Sequence, residues 1–419
     1  MTIAADPHRE SFRLSQLIYD TRYRSATIQV VALIGFLILV GWLISNTAQN
    51  LVLLGKEPSF RFLWEPAGYD INQRLLEYTS ASPHIRAAVL GLLNTLLVAA
   101  MGCVTATVLG ILIGILRLSR NWLVARLMTV YVEMFRNVPV LLWIVFAMAI
   151  MIETPPQPRD FRGENPAAEM MLFDSVAITN RGVYTPEPLF SRSLGDVAVF
   201  GGAFEISLDL MALVAVLSAG LFVSHRIRQR ADATQERTGN RPVTWHLRLG
   251  VVAVPSIILL ILLGFYLGKP ELRGFNFSGG TYLRNSLIAL WLALSLYTAA
   301  FIAENVRAGI LAISRGQTEA AASLGLRPGR IMSLVILPQA LRVIIPPLIS
   351  HYLNLTKNSS LAIAVGYMDI TGTLMGITLN QTGRELETIL LGMLVYLAIS
   401  LSISAVMNWY NNSVKLVER

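Results

Sequence analysis

Uninterrupted apolar runs long enough to cross roughly 30 Å of hydrocarbon recur along this chain, and they limit its fold more than any other feature. In lipid every backbone N–H and C=O must be satisfied internally, which leaves a helical bundle or a closed β-barrel. Barrel strands would alternate apolar and polar residues in segments of about ten. These runs are apolar all round, so the expected class is all-α and polytopic, with about eight transmembrane helices. The spans fall near 28–45, 88–116, 138–152, 206–224, 249–268, 286–303, 343–364 and 386–407. The third is short, and it reaches spanning length only by starting within YVEMFRNVP, where Pro139 favours a break. With 54% apolar and 14% charged residues, the chain lies outside the range of ordinary soluble proteins.

Charge orients the bundle. With the N-terminus inside, the cytoplasm receives 1–27, 117–137, 225–248, 304–342 and 408–419, which carry 21 Lys/Arg against 9 Asp/Glu. The opposite loops carry 12 against 16. This is the asymmetry of the positive-inside rule and gives an N-in, C-in topology. The basic residues are dispersed over several loops, whereas a nucleic-acid surface would gather them on one face, so no nucleic-acid partner is expected.

Residues 1–87 read as a cytoplasmic N-terminus bearing Arg9, Arg13, Arg22 and Arg24, a first helix and an outer loop. The apolar run 28–45 lacks a good small-residue cleavage site after it and is read as a retained anchor. Residues 88–408 form the transmembrane domain, and 409–419 a cytoplasmic tail. Gly110 and Gly114 lie on one face of the second span, suiting close helix packing in preference to a gate hinge. Lone Cys103 cannot form an intrachain disulfide and reads as a small buried hydrophobe. The outer insertion 153–205 reads as irregular linker, with an amphipathic helix over AAEMMLFDSVAI and too little apolar material for its own core. It is either a solvated extension or a docking surface for an external partner. The inner loop 225–248 reads as a solvated basic linker touching anionic lipid.

The loop 304–342 is too patterned for a linker. A helix is expected from Arg315, with Thr318 as N-cap, Glu319 near its positive end and Ala320 to Ala322 offering a small-side-chain surface. Gly325 suits a positive φ that ends it, Pro328 opens a second helix, and Pro338 closes or bends that one. The residues alone give a helix–turn–helix on the cytoplasmic side, either a plain connector or a contact for a partner.

This segment resembles the EAA loop of ATP-binding-cassette (ABC) importer permeases, whose pattern is EAA, three residues, Gly, nine residues, Ile, one residue, Leu-Pro. Here stand Glu319, Ala320, Ala321, Gly325, Val335 in place of Ile, Leu337 and Pro338. LGLLNTLLVA at 90–99, YVEMFRNVPVLLWIVF at 131–146 and YLNLTKNSSLA at 352–362 resemble permeases of polar amino-acid importers, most of all the general L-amino-acid permeases. The resemblance implies a type I importer permease fold in a bacterial inner membrane and import of L-amino acids of broad specificity. It also implies a cytoplasmic ATPase dimer using ATP and Mg, a second permease subunit (a related chain in preference to a copy) and a periplasmic solute-binding protein. Glu319, Ala320, Ala321 and Gly325 would then meet the ATPase, with Ile336 and Leu337 toward the permease body. The chain itself offers no phosphate cradle: Gly55-Lys56 and Gly268-Lys269 lack the first Gly and precede Glu57 and Pro270. Neither catalytic residues nor a cofactor or metal site are expected in it.

The seventh span is the least hydrocarbon-like. Pro346 and Pro347 predict a bend or break, and His351, Asn354 and Asn358 share one helical face beside Lys357 and Ser359. These five residues are the candidate translocation pathway. Lys357 can snorkel, join an internal ion pair with Asp209 or Glu304 as conceivable partners, or face the substrate carboxylate. A gradient-driven secondary transporter would show intramembrane acids or an inverted repeat, and a non-transporting scaffold is the blandest alternative; an ABC permease for another small polar solute also remains open.

Overall fold

The structure, a computed structural model, describes residues 18, 20–56, 58–163, 166–199 and 204–414. Arg9, Arg13 and the end of the C-terminal tail, 415–419, lie outside these residues. The chain divides into two compact units, 1–61 and 62–419. The first carries α1 (Thr21–Leu53), an apolar helix of 33 residues, about 50 Å long.

The second unit holds α2 (His84–Leu116), α3 (Trp122–Asn137), α4 (Val140–Glu153), α5 (Leu208–Thr238), α6 (Trp245–Leu262), α7 (Asn285–Leu311), α8 (Arg315–Ser323), α9 (Pro328–Val365) and α10 (Glu385–Val414). Among the described residues, seven helices are long and apolar enough to span a membrane, or eight if α3 and α4 count as one broken span. They meet at 107° across Val138 and Pro139, so the expected 138–152 helix is the second limb of a broken pair. Two local signals explain the break. Asn121 caps α3, its side chain accepting from Leu123 N and Val124 N, and Pro139 cannot continue the ladder that ends at Asn137.

The buried core forms around α2 and α7, which run parallel. Trp291 Nε1 donates to Thr105 Oγ1 (3.1 Å), Gly110 abuts Ile302, and Arg117 pairs with Glu304. A Cβ on Gly110 would lie 2.6 Å from Ile302, and one on Gly114 2.8 Å from the Ala303 carbonyl. The glycine pair therefore serves close packing. At the opposite end, Asn285 Nδ2 donates to Met151 O (3.0 Å) and Asn180 O (2.6 Å), tying the start of α7 to the end of α4.

That end carries a small β cap which the sequence reading missed. Antiparallel β1 (Ala177–Thr179), β2 (Gly182–Thr185) and β9 (Thr281–Arg284) form one sheet in that order. Three two-stranded ribbons join β3 (Glu187–Phe190) to β6 (Phe265–Gly268), β4 (Asp196–Val199) to β5 (Phe204–Ser207), and β7 (Glu271–Arg273) to β8 (Asn276–Ser278). Residues 153–205 do lack enough apolar material alone. They obtain a core by pairing with 265–284, where Ala177, Tyr184 and Phe277 are buried with Phe161, Met170 and Leu272 around them. The amphipathic helix expected over 167–178 is reduced to one turn, Met171–Asp174, in which Leu172, Phe173 and Asp174 take positive φ.

Two further expectations change. The basic loop 225–248 is not a linker: α5 continues to Thr238, closes on Gly239 at φ +74°, and returns through α6. The expected span 249–268 ends earlier, at Leu262, because Phe265–Gly268 pairs as β6. α5 and α6 pack on each other and on the strands that lead into them. Residues 366–384, outwardly a short loop, fold back as a π-helical turn (Thr371–Thr378) against the first turns of α2. Thr373 Oγ1 fills the space a side chain on Gly91 would need, while Asn94 Nδ2 donates to Met368 O (2.8 Å).

Candidate functional site

α8 starts at Arg315 with Ser314 at its N-cap, four residues earlier than the Thr318 cap expected; Thr318 lies inside it. Its other end forms as the sequence suggests. Gly325 sits at φ +76°, its N–H donates to Ala322 O (2.9 Å), and Leu326 N donates to Ala321 O (3.3 Å). This is a Schellman closure, and it satisfies carbonyls that would otherwise be orphaned. Glu319, Ala320 and Gly325 are exposed, while Ala321 is buried as α8 packs back on the first turns of α9. Leu324, 81% exposed, stands at the tip.

Pro328 opens α9 as expected. Pro338 does not end it. A π turn over Met332–Ile336 precedes Pro338, and the helix runs on into the bundle. The wider turn gives the proline ring room, and Gln339 Nε2 donates to Val335 O (3.0 Å) where the ladder is irregular. Val335, Ile336 and Pro338 are half-buried. Leu337 lines the mouth of an apolar cavity of about 530 Å³ between α2, α7, α9 and α10.

The two ends of this loop are clamped. Glu304 of α7 accepts from Arg117 and from Arg307 Nη2 (2.8 Å), and Asn305 Nδ2 donates to Ile344 O (2.8 Å). A Cβ on Gly309 would fall 2.4 Å from Ile344 Cγ1. These contacts tie the end of α7 to α2 and to α9. None of these contacts was singled out from sequence as a clamp.

α9 also stays helical through Pro346 and Pro347, so of the expected bend or break there is no break. Both rings face outward from the core, where the Arg342 and Val343 carbonyls lose their helical donors on the side away from the packed helices. Farther along, Asn354 and Lys357 are exposed, and Asn358 is half-buried. His351 packs half-buried on Phe301 (ring centroids 6.0 Å), which also meets the Tyr297 ring (5.0 Å) and the Arg136 guanidinium (5.5 Å). Ser359 is separated from this face: it is fully buried and donates to Thr356 O (2.8 Å). The conceivable ion-pair partners of Lys357 are engaged elsewhere. Glu304 holds the two arginines, and Asp209, in the first turn of α5, accepts from Leu194 N (2.9 Å) and Ser193 Oγ (2.5 Å).

A buried polar network under the β cap also escaped the sequence reading. Asp369 is fully buried between α9 and α10, accepting from Gly372 N (2.9 Å) and Tyr396 OH (3.0 Å). Burial pushes its carboxyl up to about 6 against the hydrogen bonds that favour the charge. Tyr69, its hydroxyl 3.1 Å from Thr378 Oγ1, lies over the π turn, and burial raises it too. Gly366 and Gly383, both at positive φ, bracket this polar run and were its available sequence signal. Among the described residues, no group of three or more His, Cys, Asp or Glu is placed to hold a metal ion.

A bundle of this kind, with long apolar helices and a helix–turn–helix between two of them, defines a polytopic membrane protein. Residues 248–416 match the family described as binding-protein-dependent transport system inner membrane component. Over all of both chains, the sequence is 59% identical to the glutamate/glutamine/aspartate/asparagine transport system permease protein BztB of Rhodobacter capsulatus. It is 41% identical to the general L-amino acid transport system permease protein AapQ of Rhizobium johnstonii, covering 98% of this chain and 97% of that one. It is 44% identical to the putative amino-acid ABC transporter permease protein YhdX of Escherichia coli, covering 98% and 100%. The chain belongs to the amino-acid ABC transporter permeases. It is a multi-pass inner-membrane subunit, distinct from the ATPase of its transporter, all-α in its membrane part with seven or eight long apolar helices among the described residues.

Proposed function

We propose that the 304–342 loop is the ATPase-coupling segment of an importer for acidic amino acids and their amides, within a broader L-amino-acid range. The observation that carries the coupling reading is α8 itself: a short, Schellman-closed helix with Glu319, Ala320 and Gly325 exposed, joined to α7 and α9, which Glu304 and Asn305 tie to α2 and to each other. Small side chains allow close approach by a partner, and those ties would carry its motion inward. ATP binding by a partner dimer would move α8 and open the pathway outward; hydrolysis and release would return it. A second, related permease chain would face the exposed side of α9 and share a path lined by His351, Asn354, Lys357 and Asn358. The solute-binding protein would approach from the β-cap side, with both chain termini in the cytoplasm. The substrate class is supported by the glutamate, glutamine, aspartate and asparagine transport named for the relative with 59% identity.

Gly325→Asp tests the coupling reading. An aspartate at φ +76° is strained and carries charge onto the proposed interface. The variant should insert normally yet lose ATP-driven uptake in the reconstituted transporter. Normal ATPase co-purification with unimpaired uptake would remove the coupling assignment. Uptake measured with glutamate, aspartate, glutamine, asparagine and a basic amino acid tests the substrate class independently.

A further inference from the structure

The α5–α6 hairpin carries a feature that neither transport nor coupling uses. After Asp209, α5 has no charged residue until Arg226, and it then extends past the start of α6. Registration between the helices is set by Gly220 against Val251 and Val252 and by Arg248 Nε donating to Ser224 Oγ (3.3 Å). Trp245, at the start of α6 and 67% exposed, is thus level with about residue 227 of α5, by the helical rise. Tryptophan at such a height marks a membrane–water interface. Arg226 and Arg230 bracket that level, and Arg237 stands roughly 15 Å beyond it.

These three arginines share one face. At 3.6 residues per turn, Arg226, Arg230 and Arg237 fall within about 40° of one another. The side that meets α6 and its loop, marked by buried Ser224 and Ala231, lies about 120° away. All three arginines are exposed, and no ion pair involving them occurs among the described residues. Arg228 and Arg241 are different: both converge on Asp232, at 3.9 and 2.6 Å, and fold the connecting loop back on the stem. Arg226 also packs over the Phe222 ring (5.1 Å), with its stem on the apolar helix and its head outward. The stem therefore keeps an internally neutralised side and presents an unneutralised cationic side next to an interfacial tryptophan.

We propose that the Arg226–Arg230–Arg237 face binds anionic phospholipid headgroups of the leaflet from which the stem emerges. The complementarity is of charge and height: two guanidiniums at headgroup level and one farther out, within the decay of a negative surface potential. Each basic residue near such a surface is worth about fivefold in partition, so the three set a ceiling of about a hundredfold preference for anionic over neutral lipid.

The test uses the assembled transporter reconstituted with phosphatidylcholine alone or with added phosphatidylglycerol, then re-extracted, with retained lipid measured by mass spectrometry. The wild type should retain phosphatidylglycerol selectively, and R226Q/R230Q/R237Q should lose most of that selectivity. R228Q/R241Q should keep it. R226K/R230K/R237K preserves both charge and hairpin orientation and should keep it as well, which separates lipid binding from misinsertion. The proposal is overturned if the triple glutamine variant retains phosphatidylglycerol as the wild type does, or if the lysine variant loses it. Displacement of the lipid by inorganic phosphate would assign the face to a free anion. Unchanged lipid with loss of co-purifying ATPase would assign it to a protein partner.

Discussion

Gly110→Ala should destabilise the permease, and Gly102→Ala, on the same helix, should do so much less. Both glycines are buried on α2. A Cβ at Gly110 would sit 2.6 Å from both Cβ and Cγ2 of Ile302 and 3.1 Å from the Ala299 carbonyl. Carbon atoms in ordinary contact are about 3.5–4.0 Å apart, so roughly an ångström must be found. Ile302 cannot supply it, being fully buried, β-branched and stiff at χ1. The backbone carbonyl moves only with α7. Overpacking of this sort costs about 1–3 kcal/mol, partly offset by the roughly 1 kcal/mol that alanine gains over glycine in a helix. At Gly102 the nearest atom is Leu355 Cδ2, at 3.0 Å, the end of a flexible side chain, so strain and propensity should about cancel. The assay is thermal unfolding of the detergent-purified protein, followed by loss of the monodisperse peak on heating. A lower midpoint for Gly110→Ala, with Gly102→Ala near wild type, supports parallel α2–α7 contact through glycine. Equal midpoints, or the reverse order, would refute it.

The remaining expectations are shorter. Asp369, at about 6 in the folded protein against an ordinary 3.8, makes the folded state hold more protons than the unfolded one between those values. Stability should therefore fall as pH rises from about 4 to 6, by up to roughly 3 kcal/mol, and Asp369→Asn should flatten that slope in melts run across the window. A cysteine at Arg327, with Cys103 replaced, should react with an impermeant thiol reagent only in inverted vesicles; labelling of intact spheroplasts would invert the assigned topology. Lys357→Met keeps the apolar stem and removes the charge, so it should lower uptake more than assembly. Normal uptake of acidic and neutral amino acids would leave Lys357 as a snorkelling residue.

Legibility in this chain follows the range of the physics involved. The spans were legible because burying or immersing an apolar helix is decided within one segment, and α7, α9 and α10 fall near their expected positions. The closure of α8 was legible because a Schellman turn depends on one glycine and its neighbours. Pro139 likewise announced the α3–α4 break.

What was not legible depends on partners far along the chain. The strands of 177–190 are short, polar and unpersuasive until 265–268 and 281–284 pair with them. Pro338, Pro346 and Pro347 suggested an end, a bend or a break because a proline's local cost is certain, whereas the π turn before Pro338 and the outward placement of Pro346 and Pro347 are matters of packing. Asp209 and Lys357 looked like possible partners because both lie in apolar sequence. In the fold, Asp209 is a first-turn acceptor for the backbone and hydroxyl of 193–194, near the positive end of α5. With Glu304 also committed to Arg117 and Arg307, the exposed charge of Lys357 has no use for either acid. Compensation at the lipid interface predicts normal uptake for Lys357→Met, whereas compensation by a second subunit or by substrate predicts its loss.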